Sequence, residues 1–166
     1  MERKDAVKMK GNPLTLIGPE IKVGDAAPDF TVVDQTLKPV KLSDYAGKTV
    51  VISVTPSIDT PVCDFQLRKF NADIAGKKDT VVLNISMDLP FAIKRFCAIA
   101  EIQNAVALSD HRDASFGQAY GVLIKELRLL ARAVFVVKDG KVAYVEVLPE
   151  ATDAPNYEKV TAFLGL

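Results

Sequence analysis

The chain has 166 residues, about one domain on a length prior of roughly 150. Hydrophobic residues at 49% and charged residues at 25% are ordinary globular usage, which excludes a disordered, collagen-like or disulfide-scaffold protein. Lys and Arg (21) balance Asp and Glu (21), so the basic excess of a nucleic-acid or membrane-surface binder is missing, and no run approaches the ~20 apolar residues of a membrane helix.

Met1 to Lys10 is charged, and Gly11, Pro13, Gly18 and Pro19 interrupt the next ten residues, so the apolar core of a signal peptide is missing and the reading is a cytoplasmic protein. An N-terminal β-hairpin is predicted at about 13–23: Leu14 and Leu16 alternate with polar neighbours, Gly18-Pro19 supplies the turn, and Ile21 and Val23 alternate again. Thr31 to Val33 and Val40 to Leu42 are weaker strand candidates. Thr49 to Val54 is a β-branched run of the buried-strand type, Val81 to Ser86 a second and Ala105 to Leu108 a third. Cys63, Leu67, Phe70 and Ile74 predict an amphipathic helix after the first run. Ile93, Phe96, Cys97 and Ala100 predict another after the second. Asp113 is a candidate cap for a short helix closing at Gly121. Ala131 to Val137 and Val142 to Val147, joined by Asp139-Gly140, form the clearest hairpin, and Asn156 to Leu164 reads as a terminal helix. Strands alternating with helices, closed by an antiparallel hairpin, imply a single α/β domain over 1–166 with a central mixed β-sheet flanked by helices.

The densest chemistry lies between the first buried strand and the helix after it. Thr60 followed by Pro61 is a helix start: a capping hydroxyl, then Pro at the first helical position. That puts Cys63 in the first turn, where free backbone N–H groups and the positive end of the helix dipole favour a thiolate over a thiol. A strand-to-helix turn is also where α/β proteins bind their ligands. Cys63 equally begins the apolar stripe, the place of a buried structural cysteine. Arg132 is expected in a strand apolar on both faces, where a charge at the mouth needs a partner. Cys97 lies 34 positions after Cys63 on the second stripe, and its residue context leaves a core role and a redox role open.

Pro56, Thr60 and Cys63 reproduce the P-x-x-x-T-x-x-C motif of peroxiredoxins, and Val23 to Phe30 resembles their G-x-x-A-P-D-F opening segment. Pro56 to Thr60, Asp88 to Ala92, Arg95-Phe96-Cys97 and Leu130 to Val134 resemble the bacterial thiol peroxidase subfamily, in its order; Ile124 to Leu129 fits no pattern. The resemblance implies a thioredoxin-like fold and reduction of hydrogen peroxide and organic hydroperoxides with no metal or organic cofactor. In that scheme the Cys63 thiolate attacks the peroxide and becomes a sulfenic acid. Thr60 hydrogen-bonds the thiolate and the peroxide, Pro56 shields the sulfur from water, and Arg132 lowers the thiolate pKa and orients the peroxide. Cys97 resolves the sulfenic acid as an intramolecular Cys63–Cys97 disulfide, recycled by thioredoxin, in a homodimer. Such a bridge needs Cα atoms within about 7 Å, so one or both helices must shift during turnover.

Other signals carry less. His111-Arg112-Asp113 matches a kinase triplet without its Gly-rich loop or D-F-G, and His111 reads as a surface residue. Asn84-Ile85-Ser86 is a sequon inside a predicted buried strand. One His and two Cys cannot complete a structural zinc site, and no C-x-x-C is present. The competing readings are another thiol–disulfide enzyme on the same fold, and a redox sensor or chaperone-like protein using the same cysteine pair.

Overall fold

In the computed structural model residues 1–77 and 79–166 are described, and the β-branched runs form the centre of its main sheet. The strands are β1 (Glu2–Met9), β2 (Asn12–Ile17), β3 (Thr31–Val33), β4 (Pro39–Lys41), β5 (Thr49–Val54), β6 (Thr80–Ser86), β7 (Val106–Ser109), β8 (Leu123–Ile124), β9 (Leu129–Leu130), β10 (Ala133–Lys138) and β11 (Lys141–Val147). The helices are α1 (Pro61–Asp73), α2 (Pro90–Ala100), α3 (Ser115–Ala119) and α4 (Tyr157–Phe163). The main sheet runs β11-β10-β5-β6-β7-β3-β4, parallel across β5–β6–β7 and antiparallel elsewhere, the mixed sheet the sequence implied. Parallel neighbours need crossovers, and α1 and α2 are those crossovers. Among the described residues no helix is long and apolar enough to cross a membrane.

Side chains alternate across each strand, so the central run feeds two cores. Val51, Val82, Val134 and Val136 face α1, α2 and α4. Val50, Ile52, Leu83, Ile85 and Phe135 face α3 and the N-terminal hairpin. On that second face Phe30, Phe116, Tyr120 and Phe135 pack edge-on or stacked, with centroids 4.7–6.3 Å apart. Each buried side chain of this size stabilises by about 1.5–3 kcal/mol, so the aromatic cluster is a main tie between the two layers.

Three local expectations are corrected, and one unassigned stretch gains structure. The N-terminal hairpin is β1–β2, not 13–23. Lys10 (φ 51°) and Gly11 (φ 80°) supply the two positive φ values of a tight turn. Gly18 follows β2 instead of turning a hairpin, and glycine is required there because a Cβ would fall 2.1 Å from the Gln118 carbonyl oxygen. The unassigned Ile124–Leu129 region forms β8 and β9, which extend the hairpin to a sheet of order β1-β2-β8-β9. Second, α3 is preceded by Ala114 rather than capped by Asp113. The Asp110 carboxylate accepts the Phe116 and Gly117 N–H groups at 3.0 and 2.8 Å. Third, Arg132 stands just before β10 rather than inside it. Elsewhere β5, the Asp139-Gly140 hairpin and the terminal helix lie where the sequence put them, with Asn156 capping α4 by accepting the Lys159 N–H at 3.0 Å. His111 is half-buried.

Candidate active site

The segment from Pro56 to Cys63 leaves the C-terminal end of β5 and is anchored by one side chain of the next loop. Ser57 Oγ donates to Asp88 Oδ1 at 2.8 Å, the Ile58 N–H to Asp88 Oδ2 at 2.9 Å, and Ser86 Oγ to the same Oδ2 at 2.7 Å. Pro56 is buried at the root of this segment. Thr60, extended at φ −110° and ψ 147°, is the N-cap of α1 and Pro61 its first residue. The expected capping hydroxyl is not used as a cap: Thr60 Oγ1 donates to the Ser57 carbonyl at 3.0 Å. A local carbonyl three residues back competes with the helix for a Thr hydroxyl, and here it wins. Thr60 Oγ1 is therefore not bonded to Cys63.

Cys63 is the third residue of α1 and fully buried. Its Sγ accepts a hydrogen bond from Arg132 Nη2 at 3.1 Å. Arg132 is itself 2% exposed, and its other two nitrogens are each bonded: Nη1 to Gln66 Oε1 at 2.9 Å and Nε to the Ala151 carbonyl at 2.8 Å. Gln66 Nε2 donates to Ser53 Oγ at 2.7 Å, and Ser53 Oγ to Asn84 Oδ1 at 3.1 Å, across facing positions of β5 and β6. The guanidinium thus sits on a buried polar ladder that sets its orientation. Among the described residues no carboxylate pairs with it. The helix N-terminus and this cation together make the surroundings of Cys63 Sγ electropositive.

Around the sulfur, Tyr157 packs edge-on against Phe65 and Phe70, at centroid separations of 5.7 and 5.3 Å. Burial pushes its hydroxyl pKa up to about 12. Outside lies a cleft of about 420 Å³ between α1 and α2, lined by Thr60, Pro61, Asp64, Arg68, Phe96 and Ile99. Arg68 stacks over the Phe96 ring at 5.6 Å and ties the two helices together. Among the described residues no group of three or more His, Cys, Asp and Glu is placed to hold a metal ion.

Cys97 is a free thiol like Cys63, and the structure does not bring the two sulfurs into contact. It is 6% exposed and packs with Ile93, Ala105 and Ala107 on the face of α2 turned toward β7. Burial pushes its thiol pKa up, opposed by the side chain of Gln35. Of the residues singled out in the sequence, the fold therefore joins Cys63 and Arg132, carries Pro56 and Thr60 on the loop that leads into α1, and holds Cys97 apart.

Sequence reasoning missed Gln66 and gave Asp88 no role. Gln66 carried a signal: a polar residue three positions after Cys63, on the buried stripe of α1 between Cys63 and Phe70, is out of place unless it bonds something inside.

The model of the Redoxin family matches residues 22–161. The chain is 60% identical over 153 residues to a thiol peroxidase of Listeria innocua, covering 92% of this chain and 93% of that one. It is 57% identical over 157 residues to a thiol peroxidase of Staphylococcus aureus, covering 94% and 95%. Its fold is similar to that of a peroxiredoxin-like protein from Aquifex aeolicus, with a TM-score of 0.91 at 47% identity, over 97% of this chain and 96% of the other.

Proposed function

Because the chain belongs to the Redoxin family, has a thioredoxin-like fold and is a thiol-dependent peroxidase, we propose that Cys63 is the residue that attacks the peroxide and Cys97 the residue that resolves the product. The observation that carries this reading is the 3.1 Å contact from Arg132 Nη2 to Cys63 Sγ. A buried cation whose other partners are a neutral amide and a carbonyl needs an anion, and a Cys63 thiolate is that anion. The thiolate attacks one peroxide oxygen, the O–O bond breaks, and the departing alkoxide or hydroxide takes a proton and leaves as alcohol or water. The oxygen stays on sulfur as a sulfenic acid. Arg132 holds sulfur and peroxide with a planar fork. Pro56, buried at the root of the loop, shields the site from water, and Thr60 lines the cleft through which peroxide enters.

The Cys97 thiol then attacks the Cys63 sulfur, an S–S bond forms, and the sulfenic oxygen leaves as water. A thioredoxin-type dithiol exchanges with the disulfide and returns both thiols. We place the protein in the cytoplasm, whose reducing pool keeps both cysteines as thiols. The working unit is a homodimer of single domains spanning 1–166; the exposed Phe65 of α1 and Leu89, Phe91 and Ile99 at α2 support the pairing.

The test is NADPH oxidation in a coupled assay with thioredoxin, thioredoxin reductase and hydrogen peroxide or an alkyl hydroperoxide. Wild type is expected to turn over and saturate, and Cys63→Ser to lose turnover while keeping its fold, because an alkoxide is far harder to form than a thiolate. Turnover by folded Cys63→Ser would remove Cys63 from the mechanism.

A further inference from the structure

We propose that Asp88 is a positioning residue for this reaction: its carboxylate holds the Cys63-bearing loop in the peroxide-reactive form and sets how readily that loop opens toward Cys97. The second half rests on the cysteine-pair reading above. One carboxylate gathers three donors from two chain segments: Ser57 Oγ and the Ile58 N–H from the loop before α1, and Ser86 Oγ from the end of β6. The Asp88 carbonyl accepts Ser109 Oγ, which fixes the residue against β7, and two positions later Pro90 begins the helix that carries Cys97. The effect continues toward Cys63, because the Ser57 carbonyl accepts both the N–H and the hydroxyl of Thr60, at 3.3 and 3.0 Å. Asp88 thus fixes Ser57, Ser57 fixes Thr60, and Thr60 is the N-cap of α1.

The other polar restraint on this loop is local: the Asp59 N–H donates to Ser57 Oγ at 3.2 Å. Ile58 is buried, but Asp59, Thr60 and Pro61 are exposed, and Thr60 makes no side-chain cap. Bonds to an ionised acceptor are roughly twice as strong as neutral ones, so the Asp88 contacts dominate the polar restraint. Cys63 and Cys97 meet only if the start of α1, the α2 helix, or both move. The Cys63 sulfenic acid has two fates. It bridges to Cys97 and releases water, or a second hydroperoxide oxidises it to sulfinic acid and leaves as alcohol. A tight Asp88 clamp keeps Cys63 on Arg132 for the first attack and prolongs the exposure of the sulfenic acid to the second.

The test compares wild type, Asp88→Asn and the milder Ser57→Ala. Competition against a haem peroxidase reads the first step, and intact mass reads the hydroperoxide concentration that converts half of Cys63 to sulfinic acid. In Asp88→Asn the first step is expected to slow about tenfold, the scale of one lost bond to a charged group, and the half-conversion concentration to rise about threefold. Ser57→Ala, which loses one of the three donors, should move both in the same direction by less. Folded variants whose melting temperature falls while both chemical readouts stay at wild type would make Asp88 purely structural and overturn the proposal. If Asp88→Asn does not fold, Ser57→Ala decides on the same readouts. A wild type that never bridges overturns the cysteine-pair reading instead, and the first-step rate still judges the clamp.

Discussion

A guanidinium at 2% exposure is stable only if its charge and its donors are matched, and in this protein the match is distributed over Cys63, Gln66 and the Ala151 carbonyl. Arg132→Lys keeps the charge but cannot reach all three acceptors at once, because an ammonium is a point donor and not a fork. The peroxide step should fall about tenfold in Arg132→Lys and about a hundredfold in Arg132→Met, the scale of losing part and then all of the charge-assisted hold on the sulfur and the peroxide. Stopped-flow rates at wild-type level in both variants would make Arg132 structural. Cys63 and Arg132 were legible in the sequence because each breaks a local rule: a thiol behind Thr-Pro, and a cation beside an apolar strand. Gln66 was hidden because its role is set by residues distant in sequence, Ser53 and Arg132, which only the packed sheet brings to it. The sequence assigns the Thr60 hydroxyl to a cap because it shows the helix start but not the competing Ser57 carbonyl.

At the scale of elements, spacing located α1 and α2 well because each has a long apolar stripe, and β5 and β6 because β-branched runs of six or seven residues are hard to place elsewhere. It placed α3 but not its cap, because that short helix is held by a side chain outside it. The Asp110 carboxyl is pushed up from 3.8 to about 6, mainly by burial, while the Gly117 and Phe116 N–H bonds and nearby Arg128 pull it down. A raised value means the folded chain keeps a proton that the unfolded chain has already lost. That stabilisation is complete below about 4 and disappears as pH rises through about 6. Asp110→Asn removes this titration. In urea unfolding, wild type is therefore expected to lose stability relative to Asp110→Asn between pH 4 and 6.5, with a constant difference above that range. A difference that does not change with pH would contradict the assignment.

Across the whole molecule, the small N-terminal sheet is pinned to the main domain where chains cross closely. Arg3 donates to the Gly18 and Gly121 carbonyls, and Glu150 accepts the Lys10 and Gly11 N–H groups of the β1–β2 turn. Gly121 has φ +65°, and a Cβ there would lie 1.9 Å from the Pro19 carbonyl oxygen. Gly121→Ala must displace backbone as well as accept a strained φ, so a loss of about 3 kcal/mol in denaturant unfolding is expected. A loss below about 0.5 kcal/mol, the size of a surface substitution, would show that this crossing is not rigid. This sheet was the least legible part of the fold. Its first strand is charged over its first four residues, holds its apolar residues at Ala6, Val7 and Met9, and is bent by Asp5 at φ 55°, so nothing in residues 1–10 alternates cleanly. The central claim, that the two thiols form one catalytic pair, is tested most directly by intact mass after one equivalent of hydroperoxide. The expected product is a monomer lighter by two hydrogens, about 2 Da, with both cysteines blocked to alkylation and Cys63 linked to Cys97 in the peptide map. A product that keeps two free thiols, or a dimer joined through Cys97, would contradict it.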